Sequence, residues 1–277
     1  MDEGAGRFGE GGTESGSGRV NFLEQALSFI FTAANWAGPA GLATRILEHL
    51  QYTAVATLFS ALIAIPVGML IGHTGRGTFL VVTGVNALRA LPTLGVLLLG
   101  VLLWGLGLVP PTVALMLLGI PPLLAGTYAG IANVDRSVVD AARSMGMTER
   151  RILLRVETPN AMPLILGGLR TATLQIVATA TVAAYASLGG LGRYLIDGIK
   201  IREFHIALVG ALMVTLLALI LDAAMAFAVW VSVPGSGRLR GSRSLPQPFL
   251  SDEVALESRP SSAGRHERAG PSPTVDP

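Results

Sequence analysis

The chain contains no cysteine, which excludes disulfide frameworks, cysteine-based zinc sites and thiol nucleophiles. Lysine is almost absent as well: Lys200 is the only one among the 20 basic residues. No Gly-x4-Gly-Lys-Ser/Thr phosphate loop exists, so the chain cannot hydrolyse ATP by that route. Charge is scarce overall, at 14% of residues, where a soluble domain carries about a quarter. His49, His73, His205 and His266 are scattered without metal-ligand spacing, so no metal is expected. What fills the space is apolar. Of the 277 residues, 51% are hydrophobic, and the mean hydropathy is +0.59. The apolar runs approach the roughly 20 residues that a membrane span needs and have almost no polar face. These features predict an all-α polytopic membrane protein. The pI of 9.4 then follows from arginine gathered on one side of a membrane and carries no argument for nucleic acid.

Residues 1–19 are glycine-rich, lack apolar periodicity and read as a disordered tail without the basic start of a signal peptide. Residues 20–45 form an N-terminal hydrophobic or interfacial segment. Within it 20–37 is either an interfacial helix or a marginal span, since Glu24 interrupts it. Five stronger spans follow at 51–72, 79–104, 110–132, 165–187 and 205–232, with a sixth if 20–37 crosses. Pro66, Pro92, Pro121 and Pro122 lie inside spans and should kink them. Arg76, the arginines of loop 133–164 and Arg238, Arg240 and Arg243 fall on one side, which the positive-inside rule makes cytoplasmic. The C-terminus is then cytoplasmic, and 233–277, rich in Pro, Ser, Gly and charge, reads as a disordered tail.

Loop 133–164 is the largest connection, and it has internal order. Asp135 suits the N-cap of a helix from Arg136, and that helix should carry Val138, Ala141, Ala142 and Met145 as an apolar ridge. Gly146 suits the left-handed residue that ends it. Thr148 can cap a second short helix, which Pro159 should stop. A ridge with no core beneath it fits a partner groove, and equally a loop packed on its own bundle.

The loop resembles the EAA motif of type I ATP-binding-cassette importer permeases: Glu-Ala-Ala, three residues, Gly, nine residues, Ile, one residue, Leu-Pro. Here Asp140-Ala141-Ala142 is followed at the same spacing by Gly146, Val156 and Thr158-Pro159, with Asp, Val and Thr as the departures. The resemblance covers about 46–232, a permease domain with 133–164 as its coupling loop. Within the class, Gly72-His73-Thr74-Gly75-Arg76-Gly77, Arg89-Ala90-Leu91-Pro92-Thr93, Gly126-Thr127-Tyr128, Met145-Gly146-Met147-Thr148, Gly168-Leu169-Arg170-Thr171-Ala172-Thr173 and Gly189-Gly190-Leu191-Gly192 are similar to the glycine betaine/carnitine/choline (osmoprotectant) family.

The resemblance implies a transport subunit of the bacterial cytoplasmic membrane rather than an enzyme. An ATPase chain, which holds the ATP, would dock at Asp140, Ala141, Ala142, Gly146, Val156 and Pro159. It further implies a second permease, identical or related, and an extracytoplasmic binding protein. The cargo would be glycine betaine, carnitine, choline or proline. A methionine- or taurine-type permease shares parts of the pattern. In other classes, an ion-coupled secondary transporter would need inverted repeats and midplane ionisable sites, and a membrane scaffold would need no ATPase.

Three residues are candidates for the substrate pathway. Asp222 lies inside the fifth span, where a carboxylate is either functional or a packing residue paired with Arg170 or Arg89. Tyr128 and Tyr185 offer cation–π faces to a quaternary ammonium, and serve equally as belt or packing residues, as does Trp104.

Overall fold

A computed structural model describes residues 14–232 except 187–188, and leaves out the side chains of 14–20, 80–82, 183 and 185. The expected tail at 233–277 and most of that at 1–19 lie outside the described residues. The rest is helical: α1 (Glu14–Phe31), α2 (Leu42–Thr74), α3 (Thr78–Ala90), α4 (Thr93–Trp104), α5 (Val109–Ala132), α6 (Arg136–Ser144), α7 (Glu149–Ile152), α8 (Thr158–Ala180), α9 (Gly192–Lys200) and α10 (Phe204–Ser232). By length and composition, α2, α5, the continuous run Glu149–Ala180 and α10 are able to cross a membrane. The pair α3–α4 makes a fifth if its two halves count as one span.

α5 is the centre of the bundle and packs along both α2 and α8. Small residues permit this. A Cβ on Gly126 would lie 2.8 Å from the Cα of Gly168 on α8, so the two backbones touch where both side chains are missing. Across the other face, the Ser60 hydroxyl of α2 donates to its own helix at Ala56 O and to Met116 O of α5, at 2.8 and 2.9 Å. The adjacent apolar cluster joins Ala64, Ile120, Leu123, Leu124 and Ala172.

Several span boundaries differ from those the sequence predicts. The first span begins at Leu42 rather than 51, because polar residues at its start find partners, most of them distant in the chain. Arg45 bonds Glu48 at 2.9 Å, Glu48 accepts from the Gly190 amide at 2.7 Å, and the His49 ring lies 3.0 Å from Val177 O. The second span is broken rather than kinked. α3 and α4 meet at 77° around Leu91–Pro92, where Leu91 takes the extended conformation that a following proline imposes. The fourth span ends at Ala180 and tightens into a 3-10 turn, Thr181–Ala186. At the N-terminus helix already begins at Glu14, within the stretch read as a tail. α1 packs on α10 through Ala26 and an edge contact between Phe22 and Phe204, but it is not apolar enough to count as a span.

Candidate coupling site

α6 starts as the sequence predicts. The Asp135 carboxylate accepts from the Ser137 amide at 2.8 Å, and that bond holds the carboxyl below its ordinary range. The helix ends in a Schellman arrangement. Met147 N donates to Ala142 O and Gly146 N to Arg143 O, with Gly146 at φ +79°. Thr148 flanks α7, but its hydroxyl makes no capping bond.

Pro159 does not stop the second helix. Residues Leu153–Glu157 form a π-turn in which Thr158 N reaches back five residues to Leu153 O. The widened turn leads into the first turn of α8, where proline's missing N–H is tolerated. The run Glu149–Ala180 is therefore one continuous helix. The lower end of the coupling loop is built directly onto a membrane span.

The expected ridge is also divided. Val139 and Ala142 are buried against Ile152, with Val134, Met147 and Val156 around them. Val138, Ala141 and Met145, at helical spacing i, i+3 and i+7, remain on the outer face, with Met145 76% exposed. Periodicity places Ala142 on the ridge, whereas the facing α7 draws it inward. Of the six candidate docking residues, Asp140, Ala141, Gly146 and Pro159 are exposed, while Ala142 and Val156 face the loop's own small core.

A charged network fastens this loop to α2. Arg143 donates to both oxygens of Glu149 at 2.9 and 3.1 Å, and to Asp140 at 3.1 Å. His73, in the last turn of α2, holds Glu157 at 2.6 Å through Nδ1 and reaches Glu149 at 3.2 Å through Nε2. The two ring nitrogens thus each face a carboxylate of the loop. The His73 and Glu157 side chains are 11% and 6% exposed. In the sequence His73 is one of four scattered histidines without metal-ligand spacing. Its partner lies 84 positions away, and the sole hint was that Glu157 falls inside the motif.

Of the three pathway candidates, Tyr128 and Asp222 take separate partners. Tyr128 packs between α2, α3, α5 and α8, with its hydroxyl 3.4 Å from Thr78 Oγ1. Asp222 accepts two bonds from Arg170 of α8, at 2.6 and 2.8 Å, so of its two alternative partners it takes Arg170. The side chain of Tyr185 lies outside the described residues.

Known proteins resemble this chain in both sequence and fold. The family model described as "binding-protein-dependent transport system inner membrane component" matches residues 64–229. The choline transport system permease protein of Bacillus subtilis is 33% identical over 181 residues, covering 65% of this chain and 83% of the relative. A glycine betaine/carnitine/choline transport system permease protein of the same organism is 34% identical over 179 residues, covering 65% and 82%. An osmoprotectant import permease protein of Salmonella typhimurium is 36% identical over 182 residues, covering 65% and 77%. Among solved structures, an inward-facing conformation of the MetNI methionine ABC transporter superposes with a TM-score of 0.62 at 21% identity, covering 69% of this chain and 96% of that one.

Proposed function

The chain belongs to the binding-protein-dependent transport system inner membrane components, multi-pass permeases that work with a separate ATPase and a binding protein, and we propose that it conducts osmoprotectants such as glycine betaine, carnitine, choline or proline. The observation that carries the substrate class is the agreement among relatives at 33–36% identity whose names specify choline, glycine betaine, carnitine or osmoprotectants. The methionine transporter resembles this chain in fold at 21% identity, which speaks for architecture and not for cargo.

In this reading the ATPase docks on the loop 135–159 from the cytoplasm. The outer face Val138–Ala141–Met145 supplies an apolar ridge, and Arg150, Arg151 and Arg155 of the same loop are exposed. The same loop is fastened to α2 by His73 and continuous with α8. A displacement of the docked ATPase therefore reaches two spans as a rigid-body movement. The permease domain is 46–232, the C-terminus lies with the ATPase in the cytoplasm, and a second permease, identical or related, completes the pathway.

The test is reconstitution of the complex purified through this chain, with its ATPase and binding protein, in liposomes. ATP-dependent uptake of labelled glycine betaine or choline is expected, without uptake of methionine or taurine. Uptake of methionine alone would overturn the substrate reading. Uptake that follows an ion gradient and needs no ATPase would contradict the coupling reading.

A further inference from the structure

The N-terminal helix α1 meets the bundle at two aromatic contacts. Phe22 meets Phe204, the first residue of α10, and Phe29 meets Tyr194 near the start of α9, each edge to face with ring centroids 6.1 Å apart. The Tyr194 hydroxyl in turn donates to Ala40 O, just before α2 begins, at 2.6 Å. Ile206 of α10 lines one groove with Ala40, Arg45 and Tyr194. α2 runs from Leu42 to its contact with the coupling loop at His73, and α8 runs from that loop to Ala180. The starts of α2, α9 and α10 therefore share the end of the bundle opposite the loop, and α1 stays at that level. If α1 ran down α10 as a span, Phe22 would lie nine residues, about 14 Å, deeper than Phe31 and beside the middle of α10. It lies instead at the first residue of α10.

Around α1 the side chains fall into three stripes. Phe22, Ala26, Phe29 and Ile30 face the bundle, with Ala26 fully buried. Leu23, Leu27 and Phe31, at spacing i, i+4 and i+8, form an exposed apolar stripe, and Phe31 is 82% exposed. Glu24, Gln25 and Ser28 form a polar stripe, which lines a groove with Thr32, Asn35 and His205. At 3.6 residues per turn the three stripes point roughly 120° apart. A span would carry the polar stripe among acyl chains, where ionisable groups are expensive. A helix lying flat at the membrane surface meets three surroundings in that arrangement: protein beside it, acyl chains beneath it and water above it. Trp36, of a residue type that gathers at headgroup level, follows directly and donates from Nε1 to Ile30 O at 2.6 Å.

We propose that α1 is an interfacial anchor, which lies in the plane of the membrane at the leaflet opposite the coupling loop and buries Leu23, Leu27 and Phe31 among phospholipid acyl chains. The contact of Phe22 with Phe204 makes the helix continuous with α10, whose exposed Leu216, Leu219 and Ile220 are covered by lipid in a membrane span. The stripe is purely apolar and borders a polar one, which fits the boundary between acyl chains and water. Residues 20–37 then do not cross, and the chain has five spans. That this leaflet is the extracytoplasmic one rests on the coupling reading; that α1 lies flat does not.

Because the chain has no cysteine of its own, Leu23→Cys, Leu27→Cys, Phe31→Cys and Ser28→Cys each introduce a single site for a bimane fluorophore, with any cysteines of the partner chains replaced. The whole complex is reconstituted in vesicles of phosphatidylcholine and phosphatidylglycerol that carry a doxyl quencher either near the headgroup or deep in the acyl chain. The three stripe positions should be quenched to the same extent, several-fold more by the shallow doxyl lipid than by the deep one. Ser28→Cys should be quenched by aqueous iodide instead. A depth that increases from Phe31 to Leu23, over about 12 Å, would reveal a span and overturn the proposal. So would stripe positions that no doxyl lipid quenches, because another protein chain would then cover them. In intact spheroplasts an impermeant maleimide should label Ser28→Cys. Labelling only after the cells are opened would overturn the outer placement, and the coupling reading with it, while equal depths would still establish the flat helix.

Discussion

Replacing Gly146 by valine adds a side chain where the structure has open space. No atom lies within 4 Å of the Cβ position, so no contact is lost and no clash is made. The whole effect falls on the backbone, because φ is +79°. The left-handed conformation costs an L-residue roughly 1–2 kcal/mol, and more when the residue is β-branched. Asparagine visits this region more readily than alanine. A cost of one or two kcal/mol lowers the population of the α6–α7 turn about 5- to 30-fold. The order of damage should therefore be Asn, then Ala, then Val. The assay is retention of the ATPase on the purified permease at limiting ATPase concentration, together with uptake, while membrane insertion stays normal. Loss of the ATPase should follow that order. If Gly146→Asn were as harmful as Gly146→Val, the added bulk would be meeting the partner and the turn argument would fail. A valine variant with normal association and uptake would refute the docking assignment itself.

Two further predictions concern the same loop. Met145→Glu places a charge on the exposed ridge without touching the loop's small core, so it should weaken ATPase co-purification and leave the melting temperature in detergent unchanged; an intact complex would count against the ridge. His73→Leu leaves the buried Glu157 without its hydrogen-bond partner, which should cost about 1–3 kcal/mol of stability, whereas replacing both partners with His73→Leu and Glu157→Leu should recover most of that. Thermal melting in detergent reads both variants, and equal losses would mean that the pair contributes nothing beyond packing.

The family, and the helix–turn–helix form of the loop proposed to couple, were legible because both are written in local pattern. Apolar runs of span length, arginine concentrated in alternate loops, and the spacing from Asp140 to Pro159 survive without any tertiary information. The caps were equally local, since Asp135 and Gly146 act on backbone within three residues of themselves. Boundaries were misread where polar side chains find distant partners: Glu48 on Gly190 and His49 on Val177 let α2 extend into residues that hydropathy alone would exclude.

The orientation of Ala142 needed the facing helix. Ridge and core residues of α6 alternate within one turn, and only Ile152 packed beneath it decides which alanine turns inward. Pro159 reads as a stop by its own chemistry, and the π-turn before it lets the helix run on. The sequence by itself determined the class of protein, the number of apolar runs and the position of the loop proposed to dock the ATPase, because those depend on composition and near neighbours. Tertiary structure alone decided that His73 fastens that loop to the first span and that Asp222 takes Arg170 across 52 residues. Charge pairing is a matter of distance in space, and chain separation carries no record of it.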